Sequence, residues 1–185
     1  GGFRFERKEE GLRRRLAPFL RSGAIELQVA PALDSARLGA LLGEFRPDIF
    51  HLVCHGTGEA LKLEDRHGQL VTLDAAELVT IYRECGSCRP RLTILEACRS
   101  LKIAEALSKA SDSDASGDQV AVGRPLAPWV IGNRDFVDPA IGTIFFPAFE
   151  QALAAGATIE GAFAEARRDL ELLVPTVPSP PVFCS

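Results

Sequence analysis

The sequence predicts an α/β fold, a three-layer sandwich in which helices flank a mainly parallel central sheet. Two observations predict it. Short apolar runs rich in Val, Ile and Leu alternate with segments whose apolar residues recur at helical spacing, and this alternation is typical of parallel sheets. In addition, 46% of the 185 residues are hydrophobic, which is enough for one domain with one core.

The first predicted elements are a basic helix, a strand, a second helix and a buried strand. The basic helix covers residues 7–21, and residues 24–29 form the short strand. The apolar face of the basic helix contains three residues at helical spacing, Leu12, Leu16 and Phe19. Asp34 caps the second helix and Pro47 ends it. Residues 48–54 then form the buried strand.

A hairpin and a capped helix follow. Two short apolar segments, 61–63 and 69–71, flank the turn Asp65-Arg66-His67-Gly68. The pattern Asp74-x-x-Glu77 is a capping box, in which each side chain satisfies a backbone N–H of the first helical turn. It therefore predicts the start of a helix.

The middle of the chain repeats the strand–helix pattern. Residues 91–97 are predicted to form a strand and residues 101–109 a helix. Residues 111–119 are small, polar and acidic and predict a loop. A short apolar strand is expected at 128–132.

Two helices and a tail complete the chain. Asp138-Pro139 is an N-cap and N1 pair that opens a long helix, which Gly156 closes. Thr158 opens the last helix. We therefore expect one domain over residues 1–174, with the Pro-rich residues 175–185 as a linker.

Composition excludes several classes of function. The net charge of −4 does not favour nucleic-acid binding, and the absence of a transmembrane-length apolar run or signal peptide predicts a cytoplasmic protein that does not bind membranes.

Five scattered cysteines favour free thiols in a reducing compartment. Cys85-x-x-Cys88 is a lone CxxC without a second ligand pair and it follows a helix, so neither a metal site nor a redox site is expected, and no cofactor is implied. Because the chain begins Gly-Gly and contains no Met, we expect an excised domain or a processed fragment.

Two apolar runs end in reactive side chains. HLVCHG ends in His55 and Gly56, and LEACRS places Cys98 directly after a predicted strand. Parallel strands that lie side by side would deliver the imidazole and the thiol to one edge of the sheet. Catalysis by a cysteine nucleophile requires at least a thiol and a base such as histidine.

Each of these residues has a structural alternative. A thiolate is favoured at the start of a helix such as the one expected after Cys98, but a free cysteine is usually a small buried apolar residue. Gly56 lets the backbone approach closely, so its N–H and that of Cys98 could face a developing oxyanion. His51, earlier in the same strand, is interpreted as structural, and His67 as a solvated turn residue.

These motifs resemble the CHAT family, the caspase-like, separase-related cysteine peptidases of clan CD. Asp48-x-x-His51-x-x-x-His55-Gly56 is similar to its histidine motif, and Leu95-Glu96-Ala97-Cys98-Arg99-Ser100 to its nucleophile motif, although many members have Asn where Glu96 stands. The similarity covers residues 7–172. Further similar segments are Leu61-x-Leu63-x-Asp65-x-x-Gly68, Trp129 to Gly132, Asp138, and Ala164-x-Ala166-Arg167.

The resemblance implies a caspase-like fold and a cysteine endopeptidase that acts on a protein or peptide substrate. His55 would be the general base and acid, Cys98 the nucleophile, and the amides of Gly56 and Cys98 the oxyanion hole. It also implies a first strand upstream of residue 1 and a regulatory sensor domain or partner, with a catalytically silent interaction module as the alternative. Glu96, Asp135 and Asp138 are acids that could meet a basic substrate side chain. The loop at 111–119 corresponds in position to the loop that is processed in caspases, and a plain connector is the alternative interpretation.

Overall fold

The computed structural model describes residues 2–111, 124–138, 141–174 and 180–185. They belong to two compact units. The first consists of Gly1–Pro31 and Asp138–Pro180, and the second of Ala32–Val137 and Pro181–Ser185. Both sheets lie in the second unit, together with His55 and Cys98.

The described residues contain six α-helices, and each overlaps a helix that the sequence predicts, although α1 begins before residue 7 and α5 begins after the predicted start at Asp138. They are α1 (Gly2–Arg21), α2 (Ser35–Phe45), α3 (Ala75–Glu84), α4 (Leu101–Lys109), α5 (Phe146–Ala154) and α6 (Ile159–Leu173). The predicted caps of α2, α3 and α6 are confirmed, because the side chains of Asp34, Asp74 and Thr158 accept backbone N–H groups of the first turn. Glu77 does not complete the capping box on its own helix; it accepts a hydrogen bond from the Ser35 hydroxyl instead.

In the part of the chain that the structure describes, seven strands form two sheets. They are β1 (Ile49–Val53), β2 (His55–Gly56), β3 (Ala60–Glu64), β4 (Leu70–Asp74), β5 (Leu92–Glu96), β6 (Trp129–Gly132) and β7 (Val182–Cys184). The larger sheet has the order β1-β5-β6-β7, and its first three strands are parallel while β7 is antiparallel. The smaller sheet is the antiparallel set β2-β3-β4. The predicted α/β class, with a mainly parallel sheet flanked by helices, is therefore confirmed.

The core of the second unit lies on the face of the large sheet that carries Leu52 and Leu95. These two residues are partners across β1 and β5, and they pack in one buried cluster with leucines of α2 and α4. Tyr82 of α3 completes this face, because its buried hydroxyl lies 2.6 Å from that of Thr93. Since β5 is buried along its whole length between β1 and β6, it anchors the segments that follow it.

The first unit is helical. Its core contains the side chains of Phe145, Phe149 and Phe163, whose ring centroids lie 5.2 to 6.3 Å apart. The long helix expected after Asp138 begins as a π-helical segment, Ile141–Phe145, which continues into α5. Residues 139 and 140 lie outside the described ranges. Among the helices that the structure describes, none has both the length and the apolar character needed to cross a membrane.

Three predictions about strands were wrong or incomplete. Residues 24–29 belong to neither sheet, because their apolar pattern finds no ladder partner among the described residues. The strand at 48–54 is present as β1, but it lies at the edge of the described sheet, so Ile49 and Val53 remain 44% and 38% exposed. Within the predicted linker, Val182–Cys184 instead forms β7, where Phe183 stacks on Trp129 with ring centroids 5.0 Å apart.

Candidate active site

The predicted neighbours β1 and β5 lie side by side and run parallel. Val53 pairs with Glu96, the last residue of each strand, and the Cys54 N–H donates to the Glu96 carbonyl over 3.3 Å. The carboxyl ends of both strands therefore meet at one edge of the sheet, as the sequence predicted. His55 follows from the first strand and Cys98 from the second.

Gly56 turns its backbone N–H away from the small sheet. The two-residue loop after β2 is closed by a hydrogen bond of 3.0 Å from the Thr57 N–H to the Ala60 carbonyl. In an antiparallel ladder, hydrogen-bonded pairs alternate with pairs whose N–H and C=O groups point outward. The next pair, Gly56 and Leu61, is of the outward type, so the Gly56 N–H points to the free side of β2.

The backbones of Gly56 and Cys98 are in direct contact. A Cβ atom built on Gly56 would lie 2.0 Å from the carbonyl oxygen of Cys98 and 3.3 Å from the Cβ of Ala97. Only a residue without a side chain fits this approach. The contact joins the end of β2 to the turn that carries the thiol.

The turn from β5 to α4 is held by the segment that follows β6, residues 133–137, which we call the strap. Alternate residues of the strap bond to the turn: the Leu101 N–H donates to the Asn133 carbonyl (3.0 Å) and the Arg99 N–H to the Asp135 carbonyl (2.8 Å). The Val137 N–H donates to the sulfur of Cys98 at 3.3 Å. Arg99 has a φ of 53°, in the left-handed region, so the chain reverses sharply just after Cys98.

The side chain of Cys98 is half-buried and that of His55 is exposed, so both are reachable from solvent. The Cys98 N–H donates to no described residue, whereas the next N–H along the chain is bonded to the strap. An amide that points away from internal partners can donate to a substrate oxygen. The arrangement therefore combines a thiol, an imidazole on the neighbouring chain segment, and two amides without backbone ladder partners.

A second cysteine lies close to the site. Burial raises the pKa of the Cys54 thiol to about 12, and the negative charges that Glu96 and a Cys98 thiolate can carry contribute to this shift. Cys54 therefore remains a neutral thiol at physiological pH. It does not compete with Cys98 as a nucleophile, because only the thiolate reacts.

The three acids suggested for a substrate pocket have different surroundings. The carboxylate of Glu96 is 7% exposed and lies 3.2 Å from Nε2 of His51, an arrangement in keeping with a structural role for this histidine. Asp135 lies in the strap, where its carbonyl accepts the Arg99 N–H. Asp138 belongs to the first unit, where its carbonyl accepts the Ile141 N–H. Glu96 is thus buried beside His51, whereas Asp135 and Asp138 are half-buried or exposed, and a role for these acids in binding substrate stays a prediction.

An aromatic and a cationic side chain lie next to Cys98. The guanidinium of Arg99 lies 4.5 Å from the centroid of the Phe136 ring, and Phe136 is 67% exposed. Arg99 directly follows Cys98, and Phe136 directly precedes Val137, whose N–H donates to the Cys98 sulfur. The ring and the guanidinium therefore lie beside Cys98.

The CxxC motif lies away from these residues along the chain. Cys85 ends α3 and Cys88 ends the 3₁₀ turn Gly86–Cys88, in which the Cys88 N–H donates to the Cys85 carbonyl. In the described parts of the chain, no group of three or more potential metal ligands occurs.

Sequence reasoning did not identify the residues that hold the nucleophile turn. Asn133 and Ser100 are buried polar residues beneath Cys98, and Val137 is the donor to its sulfur. A polar residue directly after the apolar run WVIG was a signal for Asn133, because an amide at a buried strand end needs internal partners. Nothing local marked Val137.

The comparison with known protein families gives one match. The family model described as CHAT domain matches residues 3–173, nearly the whole chain. No curated protein matches the chain significantly.

Proposed function

The chain belongs to the CHAT-domain family, a caspase-like, peptidase-related family, and on this premise we propose that it is a cysteine endopeptidase. The observation that carries the proposal is the backbone contact between Gly56 and Cys98. It brings the end of the histidine segment against the turn that presents the thiol. A nucleophile and its base must be neighbours in this way before acyl transfer can occur.

In the proposed mechanism, His55 takes the proton of the Cys98 thiol, and the sulfur attacks the carbonyl carbon of the scissile peptide bond. The carbonyl oxygen becomes an oxyanion, which the N–H groups of Gly56 and Cys98 stabilise. His55 then protonates the leaving amine as the C–N bond breaks. Water, activated by the same histidine, hydrolyses the thioester and restores the thiol.

Three features of the site support these roles. The Gly56 N–H points to the free side of β2, and the Cys98 N–H donates to no described residue, so both can reach a substrate oxygen. The N–H of Val137 faces the sulfur and can stabilise negative charge that develops there. α4 begins three residues after Cys98, so the positive end of its dipole lies near the thiol.

The proposal includes the setting of the enzyme. The substrate is a protein or peptide, and the domain is the effector module of a larger cytoplasmic protein whose sensor domain or partner regulates it, as in bacterial defence. The accessible thiol and exposed Phe136 beside it support a macromolecular substrate that approaches from solvent.

The test is covalent labelling by an electrophilic peptide probe, together with cleavage of a peptide library, in the full-length protein with its native neighbouring domains. We expect wild type to be labelled and Cys98→Ala to be inactive and unlabelled. Cys88→Ala is the matched control, because it removes another half-buried thiol of the same unit. His55→Ala should keep the thiol but lose turnover. Labelling that persists in Cys98→Ala would refute the assignment, and a wild type that neither labels nor cleaves would favour a silent interaction module.

A further inference from the structure

Two buried polar residues, Ser100 and Asn133, lie directly under the nucleophile turn. Ser100 is fully buried, and Asn133 is 1% exposed. Buried polar side chains are retained where they satisfy specific partners. Here the partners are the backbone carbonyls on either side of Glu96, at the entrance to the turn.

The Asn133 amide spans the start of the turn. Its Nδ2 donates to the carbonyl of Leu95 at 3.0 Å and to that of Ala97 at 3.4 Å. The same residue accepts the Leu101 N–H through its own carbonyl at 3.0 Å. One residue thus binds the chain on both sides of Cys98.

The Ser100 hydroxyl reinforces this attachment. Its oxygen lies 3.0 Å from the Leu95 carbonyl and 2.8 Å from the Ala97 carbonyl, and it accepts the Asn133 N–H at 3.0 Å. Although Ser100 occupies the N-cap position of α4, its side chain does not cap the helix. The hydroxyl is used to join the turn to the strap.

The orientation of the Asn133 amide is fixed by its environment. Because both nearby acceptors are carbonyls, Nδ2 must face them, and Oδ1 then points the other way. This oxygen is buried and has no hydrogen-bond partner among the described residues. Both hydrogen bonds that the amide donates are therefore directed at the chain just before Cys98.

The close packing at the start of the strap limits any alternative placement of Asn133. A Cβ atom on Gly132, the preceding residue, would lie 2.8 Å from the Cβ of Ala104 and 3.2 Å from the Cα of Leu101. The strand therefore lies directly on α4 at this point. The backbone just before Asn133 is therefore held against α4.

We propose that Asn133, assisted by Ser100, is a positioning residue that sets the geometry of Cys98 for attack. The expected effect on turnover rests on the proposed function, whereas the effect on the Cys98 thiol can be measured without it. Without the amide, the Leu95 and Ala97 carbonyls each lose one of their donors, the turn relaxes, and the sulfur moves relative to His55 and the Val137 N–H. Displacements of about 1 Å at a reacting centre lower rates by about 100-fold.

The experiment measures two quantities in the full-length protein: kcat and KM for a peptide substrate, and the rate of Cys98 alkylation by iodoacetamide, followed by mass spectrometry. For Asn133→Ala we expect kcat to fall about tenfold to 100-fold while KM changes less than about twofold. The alkylation rate of Cys98, measured well below the melting temperature, should change by at least about threefold. Ser100→Ala should show the same pattern with a smaller effect, and it replaces Asn133→Ala if that variant does not fold.

Tyr82→Phe is the matched control. It removes a buried hydroxyl and its 2.6 Å contact with Thr93 in the same unit, on the helix-packed face of the sheet. It should lower the melting temperature without changing kcat or Cys98 alkylation. The inference is overturned if Asn133→Ala and Ser100→Ala match wild type in both measurements, or if Tyr82→Phe reproduces their loss. Should wild type lack turnover while Asn133→Ala and Ser100→Ala still alter the alkylation of Cys98, the endopeptidase proposal fails and the positioning role stands.

Discussion

Replacement of Gly56 by alanine tests the contact on which the candidate site depends. The new methyl group would lie 2.0 Å from the Cys98 carbonyl oxygen, about 1 Å closer than real side chains approach such an atom. Because the obstructing atom belongs to the backbone, no side-chain rotation relieves the overlap, and β2 must move away from the turn. Overpacking of this kind costs about 1–3 kcal/mol of stability. A displacement of about 1 Å between base and nucleophile lowers kcat/KM by about 100-fold.

The assay compares thermal unfolding and peptide cleavage of Gly56→Ala with those of Gly39→Ala. A Cβ on Gly39, inside α2, would meet only Cγ2 of Ile81 at an ordinary 3.9 Å. Since alanine is favoured over glycine in a helix, Gly39→Ala should gain up to about 1 kcal/mol of stability and keep full activity. If Gly56→Ala labels at Cys98 as wild type does and has an unchanged melting temperature, the contact is refuted.

Three further predictions concern a cap, a buried thiol and the exposed ring. Asp74→Ala removes the acceptor of the Glu77 N–H and should lower the free energy of unfolding by about 1 kcal/mol, measured by urea denaturation; an unchanged midpoint would contradict this. The pKa of the Cys54 thiol is 9.0 in the unfolded chain and about 12 in the folded protein. Above about pH 9 the unfolded chain therefore loses a proton that the folded protein keeps, and the free energy of unfolding falls by up to about 1.4 kcal/mol per pH unit. Cys54→Ala should flatten the dependence of unfolding free energy on pH above about 9. If the variant and wild type show the same slope there, Cys54 does not cause the loss of stability. Phe136→Ala removes the ring beneath the Arg99 guanidinium and should raise KM about two- to fivefold without changing the melting temperature, whereas an unchanged KM would remove this pair from the substrate site.

The elements that the sequence predicts well are those whose signals are local. α4 was predicted at its observed bounds, because an apolar helical stripe begins directly after a buried strand. The adjacency of β1 and β5 follows from the connection rules of parallel sheets, so the meeting of the two strand ends near His55 and Cys98 could be expected. Both residues lie where an apolar run ends, and such an end is visible in the sequence itself.

The parts that the sequence did not predict depend on distant partners. Residues 24–29 have a strand pattern, but a strand exists only when a neighbour supplies its ladder hydrogen bonds. Residues 182–184 were predicted to be linker because of the prolines before them, but they form β7, which pairs with β6. Asn133 bonds to carbonyls 36 and 38 residues earlier in the chain, and no local periodicity encodes such a contact. The roles of buried polar residues therefore emerged only from the three-dimensional arrangement.

The candidate site is shared between two scaffolds. His55 and Gly56 belong to the small antiparallel sheet, whereas Cys98 follows a strand of the large one, and the backbone of Gly56 contacts that of Cys98. Leu61, Leu63 and Leu73 of the hairpin formed by β3 and β4 are buried in one cluster with Leu52 and Leu95 of the large sheet. The two sheets therefore share a core, and a substitution that loosens this cluster would alter the separation of imidazole and sulfur without touching either residue.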